Sequence, residues 1–477
     1  MRRSSDRLSP GSTLPLSTTS LVSAGFVALA VAMGIGRFAF TPVLPMMRHE
    51  GALSITGAAW LASANYAGYL VGALLPLLIS IPIYRGIRWG LVIICLGTIA
   101  MGFVQTLSGW IVLRAVTGIG SAWVLIFVSA WCLDHLNQVG RLALSGAVFA
   151  GVGAGILVTG LLCLAFMKAK MTSTQAWAGL GSLAILSTAF IWPVTRAIPK
   201  SEPKLPSVRT WNLEATRLIL CYGAFGFSYI IPATFLPAMA QRIVSDPGVF
   251  GWMWPAFGAA AIVSTLVAGG TSKRMGNRQL WIACQLLMAV GVALPALWHH
   301  LCSIVVAALL VGSTFMATSM VAIQEARQIA GRDATPLISA MTTCFAIGQV
   351  IGPLLASRLP HLGDEFAGSL LLASFLLLLS ACTLIRGGPA SLAKSPRKNT
   401  FGYRRRRSGS VLSLLQCIPT VLTEAKVFVS AFLVRTFLGR EWSAKIHVDA
   451  SLVDANASLR SVKVLEPEVL SAIERGP

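Results

Sequence analysis

Two arginines stand where arginine is costly. Arg37 lies within Met33-Gly34-Ile35-Gly36-Arg37-Phe38-Ala39-Phe40-Thr41-Pro42-Val43-Leu44-Pro45-Met46-Met47, the later part of an apolar run that begins at Leu21, and Arg114 lies within another such run. A guanidinium is a planar, permanently charged fork that pairs carboxylate or phosphate through two hydrogen bonds. In a run of membrane-spanning length it must face protein or a water-filled cavity. No aspartate or glutamate occupies the middle of any such run; Asp134 and Glu325 sit at the ends of two of them. The chemistry on offer is recognition of an anionic or strongly polar solute. The competing reading is that either arginine bonds main-chain carbonyls and holds helices together. Asn65 and Tyr69 are four residues apart, hence on one helical face with Tyr66 at its flank. Tyr222, Ser228, Tyr229 and Gln349 extend the polar groups that would line a cavity.

Nothing in the chain resembles a reacting centre. There is no spaced His/Cys/Glu metal set, no Walker-type phosphate loop and no nucleophile elbow. No enzymatic activity and no cofactor are expected, and ATP-driven pumping is not, because nothing would hold the nucleotide. Movement of a solute would follow a gradient.

The elements that must position these residues are apolar helices. The 477 residues are 55% hydrophobic and 12% charged, with mean hydropathy +0.74, against about 25% charged in a soluble protein. Apolar runs fall at about 21–47, 56–82, 88–107, 110–133, 141–167 and 174–196, then at 214–241, 248–270, 278–298, 301–326, 337–358 and 365–386. Each can cross a hydrocarbon core of about 30 Å as a helix. The fold class is an all-α polytopic membrane protein with twelve transmembrane helices in two six-helix repeats. Residues 1–200 form an N-terminal bundle with a short basic leader, 201–213 a linker, and 214–388 a C-terminal bundle. The leader is not read as a cleaved signal, because its apolar run continues to Met47. The net charge of +21 is spread between the runs and forms no patch for nucleic acid. Sixteen Lys/Arg fall in or beside one set of loops and five in or beside the other, which places both ends of the chain in the cytoplasm. The nine cysteines are scattered, without a CxxC, and read as packing residues.

The halves repeat internally. Gly36-Arg37-Phe38-Ala39-Phe40-Thr41-Pro42 matches Gly226-Phe227-Ser228-Tyr229-Ile230-Ile231-Pro232, Gly120-Ser121 matches Gly312-Ser313, and Gly151, Gly153 and Gly155 parallel Gly348, Gly352 and Pro353. Parallel repeats place a binding site between the halves near the midplane, and small residues let helices approach and rock.

Twelve spans, a six-plus-six repeat and a basic central loop resemble the major facilitator superfamily. Arg114-Ala115-Val116-Thr117-Gly118-Ile119-Gly120 resembles its span-4 motif, and Gly270-Thr271-Ser272-Lys273-Arg274-Met275-Gly276-Asn277-Arg278 its basic loop motif. The first-half copy, Tyr84-Arg85-Gly86-Ile87-Arg88, lacks the usual aspartate. GIGRFAFTPVLPMM with Ala64-Asn65-Tyr66-Ala67-Gly68-Tyr69 is similar to the bacterial YbfB/YjiJ-type branch. The resemblance covers about residues 20–386. It implies a secondary active transporter in a bacterial inner membrane, moving a small organic solute by alternating access with protons, as a monomer. Its partners would be the small-molecule substrate and the lipid bilayer, with no nucleic acid. Conformational roles would fall to Gly118, Gly120, Gly151, Gly155, Gly348, Gly352, Pro353, Lys273, Arg274 and Arg278. A transporter-like sensor that binds solute without moving it is the alternative. Residues 389–477 are basic, and the apolar stretch Val411–Leu438 holds Pro419, Glu424, Lys426 and Arg435. A thirteenth span would bury those charges, so this segment reads as a disordered or peripheral cytoplasmic tail, or as a non-native read-through.

Overall fold

The computed structural model describes residues 17–198, 212–243, 247–298, 300–331, 334–356 and 367–385. The leader before Ser17, most of the linker and everything after Ile385, including the basic tail, lie outside the described residues.

Twelve helices are long and apolar enough to span a membrane, and no strand occurs among the described residues. They are α1 (Thr18–His49), α2 (Ile55–Leu78), α3 (Ile83–Ala100), α4 (Leu107–Gln138), α5 (Ser145–Lys168), α6 (Ser173–Arg196), α7 (Leu213–Ile243), α8 (Pro247–Met275), α9 (Asn277–Leu297), α10 (Leu301–Ala330), α11 (Thr335–Ala356) and α12 (Ala367–Ile385). Backbone groups have no water to bond in hydrocarbon, so a helix is the form an apolar run of this length takes. Side chains cap the ends: Ser17, Ser54 and Thr106 each accept an N–H of the following turn, and Thr172 with Gln175 closes a capping box. Glu50, just past α1, accepts from the Ser173 N–H at 2.6 Å and from the Ser173 hydroxyl, fixing the start of α6.

The same pairings recur in both halves. In the first, α1 packs on α5, α2 on α4, and α3 on α4 and α6; in the second, α7 packs on α11, α8 on α10, and α9 on α10 and α12. The halves join through α2 with α11 and α5 with α8, pairs that exchange under a six-helix shift. Close approach requires glycine at several of these seams. A Cβ on Gly34 would stand 2.3 Å from the Gly155 Cα, and one on Gly153 would stand 2.7 Å from the Gly258 carbonyl oxygen.

Ahead of Pro42 and Pro45, α1 departs from α geometry. Residues Ala30–Phe38 form a π segment. In the i→i+5 pattern of a π-helix, the residue due to bond the Arg37 carbonyl is Pro42, which has no N–H. Main-chain acceptors are thereby released in the middle of the bundle, beside Arg37.

Candidate functional site

Arg37 is 4% exposed and lies where the halves meet. Its Nη2 donates to the Oε1 of Gln349 on α11, 312 residues away in the chain. Its Nη1 is buried and has no hydrogen-bond partner. The guanidinium carbon lies 4.0 Å from the centre of the Tyr69 ring and 5.3 Å from that of Tyr66. A cation over ring faces is attracted by their quadrupoles, so the Tyr66 and Tyr69 rings of α2 hold the guanidinium in place. Its edge faces the second half.

That edge opens on a cavity. Tyr69, Tyr222, Tyr229 and Gln349 line it with Arg37. The space open to the centre of a water molecule is about 10 Å³, which holds one water and no organic solute. At this site the halves leave no room for a solute. Beyond the polar groups the wall is apolar and aromatic, with Met33 and Phe38 from the first half and Phe315, Met316 and Phe345 from the second. The Tyr229 ring stacks on Phe315 with centroids 5.2 Å apart and on Phe345 at 6.4 Å. Phe38 meets Phe315 and Trp254 edge-on, at 6.2 and 6.0 Å. The Ser319 hydroxyl, also in the lining, donates to the Phe315 carbonyl at 3.1 Å.

Arg114 is 3% exposed and is placed differently. Its Nη1 donates to the Gly36 carbonyl at 3.2 Å and its Nη2 to the Arg37 carbonyl at 3.1 Å, the acceptors left by the π segment. Asn65 donates to the Arg114 carbonyl at 3.0 Å and reaches the Gly36 carbonyl at 3.4 Å. Together they tie α1, α2 and α4 at the level of Arg37. Ser228 is buried on α7 with its hydroxyl unpartnered, and it does not line the cavity. Five of the nine lining candidates thus come together, Tyr66 flanks them, and Asn65 and Arg114 stand behind.

The glycines chosen for conformational roles pack inside the halves. Gly118 faces the Asn65 carbonyl on α2, Gly120 the Gly90 carbonyl on α3, Gly151 the Phe26 carbonyl and Gly155 the Ala30 carbonyl on α1. Gly348 approaches the Gly223 carbonyl, and Gly352 the Ile230 side chain and Phe227 carbonyl, all on α7. Pro353 lies in the next turn of α11. The seam between halves uses other small residues: Gly146, Gly153 and Gly160 of α5 against Gly269, Gly258 and Pro255 of α8. Arg274 is exposed, Lys273 has only its backbone described, and Arg278 donates to Glu325 at 3.1 Å and to Glu214 at 3.0 Å. Glu214 also pairs with Arg217. This cluster joins α7, α9 and α10 within the second half.

The halves are bridged at the end of the bundle that carries the Arg141 turn, the basic end by Lys/Arg count. Arg327 of α10 pairs with Asp134 of α4, and Gln324 donates to Ser145 of α5 at 2.5 Å. The sequence reading noted Asp134 at the end of its span but did not select the Asp134–Arg327 contact. The four described carboxylates, Glu50, Asp134, Glu214 and Glu325, all have partners other than Arg37 and Arg114.

Residues 29–385 match the family described as "Uncharacterised MFS-type transporter YbfB". The chain belongs to this family of MFS-type transporters. Among solved structures the MFS fold recurs in the human organic anion transporter MFSD10 (TETRAN), with a TM-score of 0.58 and 13% sequence identity, over 78% of this chain and 100% of that one. No curated protein sequence matches the chain. As an MFS-type transporter the protein is a multi-pass membrane protein whose partners are a small-molecule substrate and the bilayer. The α2–α11 and α5–α8 seams are how this chain joins the helices of the MFS fold.

Proposed function

We propose that this transporter moves a small organic anion by alternating access, with Arg37 as the anchor for its negative group. The observation that carries the reading is the pose of Arg37: buried between the halves, uncompensated by any described carboxylate, lining the cavity and with Nη1 unpartnered. A buried charge without a partner is expensive, and a bound carboxylate or phosphate removes that cost. Gln349 matters because it comes from the other half. A ligand anion held by both residues rewards approach of the halves, which is what occlusion of a substrate requires. That MFSD10 is an organic anion transporter accords with this reading.

We place both ends of the chain and the basic end of the bundle in the cytoplasm of a bacterial inner membrane, on the Lys/Arg asymmetry. Cysteines at Gly109, Gly140 and Ser207 should then be labelled from outside, inside and inside respectively. In this reading transport is coupled to protons, which an imposed pH gradient tests.

The deciding experiment is uptake of radiolabelled organic anions into proteoliposomes of the full chain, with an imposed potential and, separately, an imposed pH gradient. Saturable uptake that is driven by an inwardly directed proton gradient and lost in Arg37→Gln supports the proposal, while uptake driven by an inside-positive potential alone supports the anion assignment without proton coupling. Anion binding without uptake would return the sensor reading. Uptake of neutral solutes, indifferent to Arg37, would refute the anion assignment.

A further inference from the structure

Charge and shape around the cavity go further than "anion"; this step rests on the reading just given. Arg114 is buried at similar depth, but both its terminal nitrogens are spent on the Gly36 and Arg37 carbonyls. That leaves one guanidinium for the ligand, held with its carbon 4.0 Å from the centre of the Tyr69 ring. One guanidinium suits a single carboxylate taking Nη1 and Nη2 side by side. The Oε1 of Gln349 would give up Nη2, and the Gln349 amide, turned about its last bond, would then donate its NH2 to the same carboxylate. The rest of the lining is neutral: Phe315, Met316 and Phe345 offer no donor, and the hydroxyls of Tyr69, Tyr222, Tyr229 and Ser319 carry no charge to balance a second carboxylate.

The surface facing the guanidinium is made of rings. Tyr229 lies nearly parallel to Phe315, at 11°, and to Phe345, at 21°. Phe38, from the first half, closes edge-on against Phe315 of the second. When the halves part, Phe315 loses Phe38 and Arg37 loses Gln349 together. Both a ring face and a guanidinium edge then lie open, side by side. Offset stacking adds attraction beyond apolar area alone.

We infer that the substrate is an aromatic monocarboxylate, its carboxylate on Arg37 and Gln349 and its ring against Tyr229, Phe315 and Phe345.

The test is calorimetric titration and thermal shift of the purified full chain with five probes: phenylacetate, cyclohexylacetate, succinate, phenyl phosphate and phenylacetamide. Phenylacetate should bind about fivefold more tightly than cyclohexylacetate, the gain expected of a ring–ring contact. Succinate, phenyl phosphate and phenylacetamide should give no measurable shift. Arg37→Gln should abolish phenylacetate binding. Phe315→Leu and Phe345→Leu, which keep apolar volume, should each bring the phenylacetate to cyclohexylacetate ratio close to one; if one fails to fold, the other carries the comparison. Tightest binding of succinate or phenyl phosphate, dependent on Arg37, would overturn the inference and leave the anion reading standing. So would equal affinity for the phenyl and cyclohexyl acids. No binding by any acid, or binding unchanged in Arg37→Gln, would sink the anion reading itself.

Discussion

Arg37 and Gln349 share one buried hydrogen bond across the two halves of the bundle. It is a contact between a permanent charge and a neutral amide, so it can be exchanged for a stronger one. Substitution at either end separates the effect of charge from that of shape.

At Arg37, replacement by Gln removes the charge and replacement by Lys keeps it without the planar fork. Anion binding should vanish in Arg37→Gln and weaken about tenfold in Arg37→Lys, a loss of about 1.4 kcal/mol. Both proteins should purify at near-normal yield, since the native fold gives Nη1 no partner to lose. Titration calorimetry and size-exclusion profiles read the two effects separately.

Gln349→Glu places a carboxylate where the ligand's would bind. It should pair with Arg37 across the seam and compete with the substrate, so that the thermal midpoint rises while anion affinity falls by tenfold or more. Gln349→Ala should lower affinity only a few-fold. A rise in anion affinity for Gln349→Glu would contradict the placement of the site.

Arg114→Ala should act on folding. It removes two hydrogen bonds from a charged donor, each worth on the order of 1.5–3 kcal/mol, and leaves the Gly36 carbonyl with only the long contact from Asn65. A large fall in thermal midpoint is expected without any anion present. Asn65→Ala should cause a smaller fall, because the Gly36 carbonyl keeps its bond from Arg114.

The Asp134–Arg327 pair should report on opening at the basic end. The Asp134 side chain is 40% exposed, so the pair is worth about 0.5–1 kcal/mol. That is enough to shift an equilibrium between closed and open forms several-fold. A cysteine at Ser145, fully buried beside Gln324, should react faster with a soluble maleimide in Asp134→Asn and in Arg327→Gln. The reversed pair, Asp134→Arg with Arg327→Asp, should restore protection. Labelling that is equally slow in all four proteins would show that these residues do not hold the end shut.

Spans and repeat were readable because both rest on hydropathy and on glycine placement, which the chain carries openly. The first run, expected at 21–47, is Thr18–His49, and the eighth, expected at 248–270, runs on to Met275. Polar helix ends such as Ser272 to Arg274 contribute nothing to an apolar run yet remain helical. The polar members of the site, Arg37, Tyr69, Tyr222, Tyr229 and Gln349, were readable because such groups are rare in apolar runs. Phe38, Phe315 and Phe345 were not, because a phenylalanine in a membrane helix serves lipid and cavity alike, and nothing in sequence spacing says which way it faces. The roles of the two arginines diverge for a similarly hidden reason. Whether a guanidinium meets a ligand or a carbonyl depends on which carbonyls are free, and that was decided by the hydrogen-bond pattern of α1.

The π segment puts the two halves out of phase. Successive residues of an α-helix turn by about 100°, so one residue added to or taken from Ala30–Phe38 swings everything on one side of it to a new face. In the second half α7 runs through the corresponding stretch as unbroken α-helix, and Phe227 stands at the position aligned with Arg37. The halves are twins in fold but keep different time along their first helices. A charge can be presented to the shared cavity from one of them while its counterpart packs a ring, and a pseudo-symmetric container acquires a polar pole. A one-residue deletion at Ala32 would bring the helices back into step and turn that pole away from the cavity, with every side chain of the site still present in the chain.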